Sequence, residues 1–410
     1  MFHSMIKKVS LLISLVVLCF ATASLAGQRP YSNVSPWNLR VGPNPVYDKH
    51  SDVFVRSMSG LFGSKVTKYT MPVYEVDTET PFVPVYFSGS YTEVDRENRR
   101  ATVSKEAKIP IPVPAHAVPA AGRDGQIIVW NPKTGDEWGL WRVESAADAF
   151  LAVNGYHYNT NWSGVPPYGF FNRGAGVPYL AGLVRPWEIA QGRIDHAIAF
   201  GANYPNEMFV YPATKSDGRD LSGEVSSEVS GKGQQRHIVQ YPSGARLQLD
   251  PSLTDEDFEK WELTPAARVI ARALQEYGMI LVDSSGHPKI YAEYEGTAEW
   301  NGVIRDGLLY KIPYTAFRVL DLGAPERPDV PKGVTVTNST EGVLLSWQPV
   351  SSATRYRVYR RLPGKAWDVA NAWVTKTEWQ DEAYVTGAVY TVVAVSHNGV
   401  SEGSAAVRLE

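Results

Sequence analysis

Asn172-Arg-Gly-Ala-Gly-Val-Pro-Tyr-Leu-Ala-Gly-Leu-Val-Arg-Pro-Trp-Glu-Ile-Ala-Gln-Gly-Arg-Ile-Asp-His-Ala-Ile-Ala-Phe200 is the stretch on which the fold is read. Its first third is a glycine-rich loop. Arg185 to Gly192 is a short helix, since Pro186 suits a first helical position and Gly192 a helix end. Arg193 to Phe200 then predicts a strand. Alternation puts Ile194, His196, Ile198 and Phe200 on one face and Arg193, Asp195, Ala197 and Ala199 on the other. Loop, short helix and apolar strand within 29 residues indicate a β-rich body with a polar site near its glycines.

Downstream, Asp217 to Gln235 is a polar Ser/Gly-rich loop and Ala245 to Asp250 a strand. The one substantial helix spans 264–277, with Thr264 as cap, Pro265 in the first turn and Gly278 beyond the end. Val269, Ile270, Ala273, Leu274 and Tyr277 form its apolar stripe. Met279–Asp283 and Lys289–Tyr294 flank Ser284-Ser-Gly-His-Pro as strand, turn and strand. Upstream, residues 27–60 are a proline-broken extended lead-in. Lys65–Phe87 has strand texture, Glu93–Lys108 is a loop or exposed hairpin, and 108–119 alternates proline with apolar residues as a polyproline-like segment. Gln126–Trp130 and Glu137–Val143 make a hairpin around Asn131-Pro-Lys-Thr-Gly. Tyr156 to Val177 is a long aromatic loop.

The N-terminus has the form of a bacterial secretory leader, 1–26. Lys7 and Lys8 precede an apolar run from Val9 to Phe20, and small residues offer cleavage after Ala23 or Ala26. A retained anchor and lipidation at Cys19 are the competing readings. Removing Lys7 and Lys8 takes the formal charge from −3 to −5, and removing Cys19 leaves no cysteine. The mature chain therefore has no disulfide, thiol nucleophile or thiolate metal site. The expected location is secreted, periplasmic or cell-surface, with no membrane span after cleavage. The charge offers no footprint for nucleic acid.

After the main domain (27–325) the texture changes to short strands with regular turns. Leu345-Ser-Trp347, Tyr356-Arg-Val-Tyr-Arg360 and Tyr390-Thr-Val-Val-Ala394 resemble a fibronectin type III domain over 326–410. The resemblance implies a β-sandwich with Tyr390 at the tyrosine-corner position, serving as a spacer or docking module. Pro119-Ala-Ala-Gly-Arg-Asp-Gly125, Gly174 to Ile189, Gly192-Arg-Ile-Asp-His-Ala197 and Ala271 to Gly278 resemble a family of secreted bacterial proteins. That second resemblance carries no catalytic assignment. The expected fold class is mainly β: an irregular β-sandwich or jelly-roll-like main domain with one helix, plus the type III sandwich.

Candidate chemistry rests on residue types. Asp195 and His196 form an acid–base pair only if a bulge turns them to one side; otherwise His196 is a buried histidine and Asp195 pairs with Arg193. The hairpin offers Asp124, Asp136 and Glu137 beside Trp138 and Trp141. Carboxylates next to aromatic rings suit sugars, because rings stack on pyranose faces and carboxyls act as acid, base or nucleophile. Hydrolysis needs two such groups about 5–5.5 Å apart for retention or roughly 6.5–9.5 Å for inversion. The competing reading makes Asp124 and Asp136 turn residues. Arg193, Trp138, Trp141, Trp162 and Tyr158 are candidate substrate contacts, with Tyr168 also in the long loop. There is no nucleophile elbow, phosphate loop, zinc motif or dinucleotide fingerprint, and no cofactor or metal is expected. The sequence favours a secreted polysaccharide-active glycoside hydrolase. The alternative is a non-catalytic surface protein binding glycan or protein.

Overall fold

The computed structural model describes residues 28–409 apart from 59, 96–100, 147, 168–170, 204, 219–225, 230–234, 239–240, 322–327, 352, 354, 366, 397–398 and 402. The leader and Tyr168 lie outside the described residues. The chain is mainly β, with several sheets and few helices.

The main body is a stack of layers, and side-chain alternation accounts for each. A six-stranded mixed sheet has the order Gly63–Lys65, Lys289–Tyr291, Ile198–Ala202, Met279–Ser284, Arg246–Leu249, Phe317–Val319. Ile198 and Phe200, with Met279 and Leu281, face one core with Ile270 and Leu274 of the helix Pro265–Glu276. Ala199, Ile280 and Val282 face a second core. A second six-stranded sheet supplies the opposite wall of that core through Ile128, Trp130, Tyr156 and Tyr158. The other face of this sheet, with Ile127, Val129, Trp138 and Leu140, packs on Val85, Phe87, Ile111 and Phe150 of a four-stranded sheet.

The helix starts as its sequence dictates: the Thr264 hydroxyl accepts from Ala267 N at 3.2 Å. The hairpin also forms, Ile127–Trp130 against Asp136–Trp141, with Gly135 at φ 83° in its turn. Several expectations need correction. The strand expected at 193–200 begins only at Ile198. Before it, Arg193 N donates to Glu188 O at the end of the short helix, and Ala197 N donates to Trp37 O. Met279–Ser284 and Lys289–Tyr291 are both strands but do not pair, because Ile198–Ala202 lies between them. The polyproline-like segment opens with an edge strand, Lys108–Ile111, in which Pro110 faces Pro84. Neither residue has a backbone donor to lose. The extended lead-in contains the helix Ser51–Ser57. The polar loop from Asp217 contains two paired strands, Ser226–Val229 and Gln235–Ile238.

The C-terminal strands form a sandwich of a three-stranded sheet (Thr335–Ser339, Gly342–Ser346, Glu378–Asp381) and a second sheet built on Arg355–Arg361 and Val389–Ser396. Trp347, Tyr356, Val358 and Tyr390 fill its core. The Tyr390 hydroxyl donates to Asp381 at 2.6 Å, and Arg360 clamps both oxygens of the same carboxylate. This is a fibronectin type III-like fold. Its outer face is not free of the body, because Tyr359, Val393 and Val395 join the second core alongside Phe209 and Ala213.

A candidate active site at the carboxyl ends of two parallel strands

Ile198–Ala202 and Met279–Ser284 run parallel. Beyond the carboxyl end of the second lies a cavity of about 720 Å³, the place where parallel strands leave a crevice for ligands. Asp283 ends the apolar run Met279–Val282 and lines this cavity. It accepts from Gly174 N at 2.7 Å and from Arg173 Nε at 3.3 Å. Arg173 is buried, and its Nη1 donates to the carbonyls of Pro178, Tyr179 and Ala181. A second carboxylate, Asp217, accepts from Ser284 N at 3.1 Å. A β-carbon on Gly174 would stand 2.5 Å from the Asp217 carboxyl. Both carboxylates therefore meet at Gly174, whose missing side chain makes room for one and whose amide holds the other. Asp217 keeps contact with solvent, but the surrounding protein, and next the Asp283 charge, raise its carboxyl to about 6.

The remaining wall is cationic and aromatic. Lys289 lies over the rings of Tyr69 and Tyr291 and donates to Tyr69 O. Burial lowers its ammonium to about 8, and burial likewise lowers Lys215. Trp141 and Asp124 line the cavity from the hairpin side. Among the described residues no hydrogen bond engages the Asp124 carboxyl.

The residues singled out in the sequence are thus distributed over several places. Asp124 and Trp141 line the cavity; the others among the described residues do not. Asp195 pairs with Arg193 on the surface. His196 is buried, with Nε2 2.8 Å from Glu188 and Nδ1 bonded to Ala197 O. Burial opposes its charge, but Glu188 outweighs it and raises the imidazole. Asp195 and His196 therefore do not act on a common cleft. Asp136 bonds His157 at 2.9 Å. Glu137 is fully buried between sheets and accepts from Tyr156, Tyr31 and Leu180 N. Trp138 stacks on His157. Tyr158 is core, and Trp162 packs edge-on against it. Asp217, Asp283, Lys215, Lys289 and Arg173 were not singled out. The available signal was an acid closing an apolar strand immediately before Ser-Ser-Gly, the position at which parallel strands present reactive groups. Among the described residues no cluster of three or more His, Cys, Asp or Glu is arranged to hold a metal ion, and no helix is long and apolar enough to cross a membrane.

No family model matches the chain, and no curated protein matches it. Among solved structures it is similar to an Fn3-like protein from Clostridium thermocellum, at 26% identity over 22% of this chain and 99% of that one, TM-score 0.18. It is also similar to a structure described as FN3tt mut, at 24% identity over 19% of this chain and 89% of that one, TM-score 0.16.

Proposed function

We propose that the chain is a secreted polysaccharide-active glycoside hydrolase whose reaction takes place in the cavity around Asp217. The observation that carries this reading is a solvent-reached carboxyl raised to about 6 in a cavity it shares with Asp124 and Trp141. A carboxyl that keeps its proton near neutrality can deliver it to a leaving glycosidic oxygen. Asp124 is the partner carboxylate, acting on water or on the anomeric carbon according to its distance from the acid. The Ser284 amide and the space left by Gly174 position Asp217, and the Asp283 charge helps it keep its proton. Trp141 supplies a ring face for a sugar.

A reducing-end assay of the purified chain on a panel of polysaccharides tests the reading. Release of reducing ends from at least one glycan supports it. Binding without product across the panel would instead favour a non-catalytic glycan-binding protein of the cell surface.

A further inference from the structure

We infer that the glycan taken by this cavity is anionic, with a carboxylate or sulfate group seated between Lys215 and Lys289. This rests on the glycan reading above and names its substrate class.

The argument is one of unmatched charge. The cavity is lined by Lys65, Lys68, Arg173, Lys215 and Lys289 against Asp124, Asp217 and Asp283. Lys65 is already neutralised by Asp306 at 3.0 Å, and Arg173 is engaged by Asp283. Lys215 and Lys289 have no such direct partner: Asp217 and Asp283 favour the charge on Lys215, and Asp283 and Asp124 that on Lys289, but no ion pair engages either lysine among the described residues, and the contacts of Lys289 are a carbonyl and two ring faces. Both ammonium groups are lowered by burial, and an arriving anion would relieve the cost of keeping such a cation charged. Arg173, fully buried and paired with Asp283, adds nothing to this excess. A neutral sugar offers these ammonium groups only uncharged hydroxyl acceptors, whereas an acidic one supplies stronger, charge-assisted ones.

The test is calorimetric binding of the full chain to oligogalacturonate, oligoalginate and chondroitin sulfate oligosaccharides. Each is compared with its carboxyl-reduced form, and the last also with its desulfated form. The wild type should bind at least one acidic member about tenfold or more tightly than the form lacking its carboxylate or its sulfate, the worth of one charge-assisted contact. Which removal weakens binding tells carboxylate from sulfate. Lys215→Met and Lys289→Met, which keep the apolar stem, should each abolish most of that preference with an unchanged melting curve. Should either variant fail to fold, the wild-type ratio of acidic to neutral affinity decides. Equal or tighter binding of the neutral forms overturns the inference and leaves the hydrolase reading standing, as does an acid preference that survives both folded lysine variants. Binding to none of these glycans overturns the inference, and the reducing-end panel alone then decides the hydrolase reading.

Discussion

Glu137 shows how a residue can look catalytic and be structural. It sits in a hairpin beside two tryptophans, yet its side chain turns inward between two sheets, where two tyrosine hydroxyls and one amide occupy it. Burial, above all, raises its carboxyl. The sign follows from linkage. A carboxyl with its folded pKa above the unfolded one is held more tightly protonated in the native state, so native stability falls as pH rises from the unfolded value through the folded one. Glu137→Gln keeps an acceptor and removes the charge. Thermal melts should show the variant gaining stability relative to wild type as pH is raised from about 4.5, the unperturbed range for glutamate. An offset that stays constant with pH would mean that Glu137 is ionised at no cost.

Elements were legible where local chemistry decides them. The Thr264 cap, the stripe of Ile270 and Leu274 and the Gly135 turn are local signals, and their elements form. Strand partners are not local. That Ile198–Ala202 lies between Met279–Ser284 and Lys289–Tyr291 is settled by packing from both faces, which no stretch of 29 residues carries. The site was legible only in part: Asp124, Trp141 and the glycine-rich loop line the cavity, but Asp217 and Asp283 meet at Gly174 only after three distant segments assemble. Gly174 is the element-level test. In Gly174→Ala the new methyl would collide with the end of a flexible side chain, not with backbone, so the fold should survive while Asp217 moves. Turnover should fall about 10²-fold, as expected for a displaced catalytic group, with the melting temperature within a few degrees of wild type. A variant with full turnover would detach Gly174 from the placement of Asp217.

At the scale of the whole molecule, the type III sandwich is read more easily from sequence than its attachment. Its repeat of short strands and its Tyr390 are visible, whereas Tyr359, Val393 and Val395 give no sign that they complete a core shared with Phe209 and Ala213. Those last two lie just before Lys215 and Asp217. A chain ending at Leu320 would expose this face, at about 1.5–3 kcal/mol for each large apolar side chain uncovered. Its melting temperature should therefore drop by several degrees, and its turnover should drop with it. Unchanged melting and turnover would make the sandwich an independent spacer.

The most direct measurement is the pH dependence of turnover for wild type and Asp217→Asn on a polysaccharide that the wild type cleaves. A general acid must be protonated to act, so wild-type turnover should fall as pH rises through about 6. The asparagine variant, folded as judged by its melting curve, should lose roughly 10²–10⁴ of the rate together with that limb of the profile. A folded Asp217→Asn chain that retains full turnover and the wild-type pH profile would contradict the account.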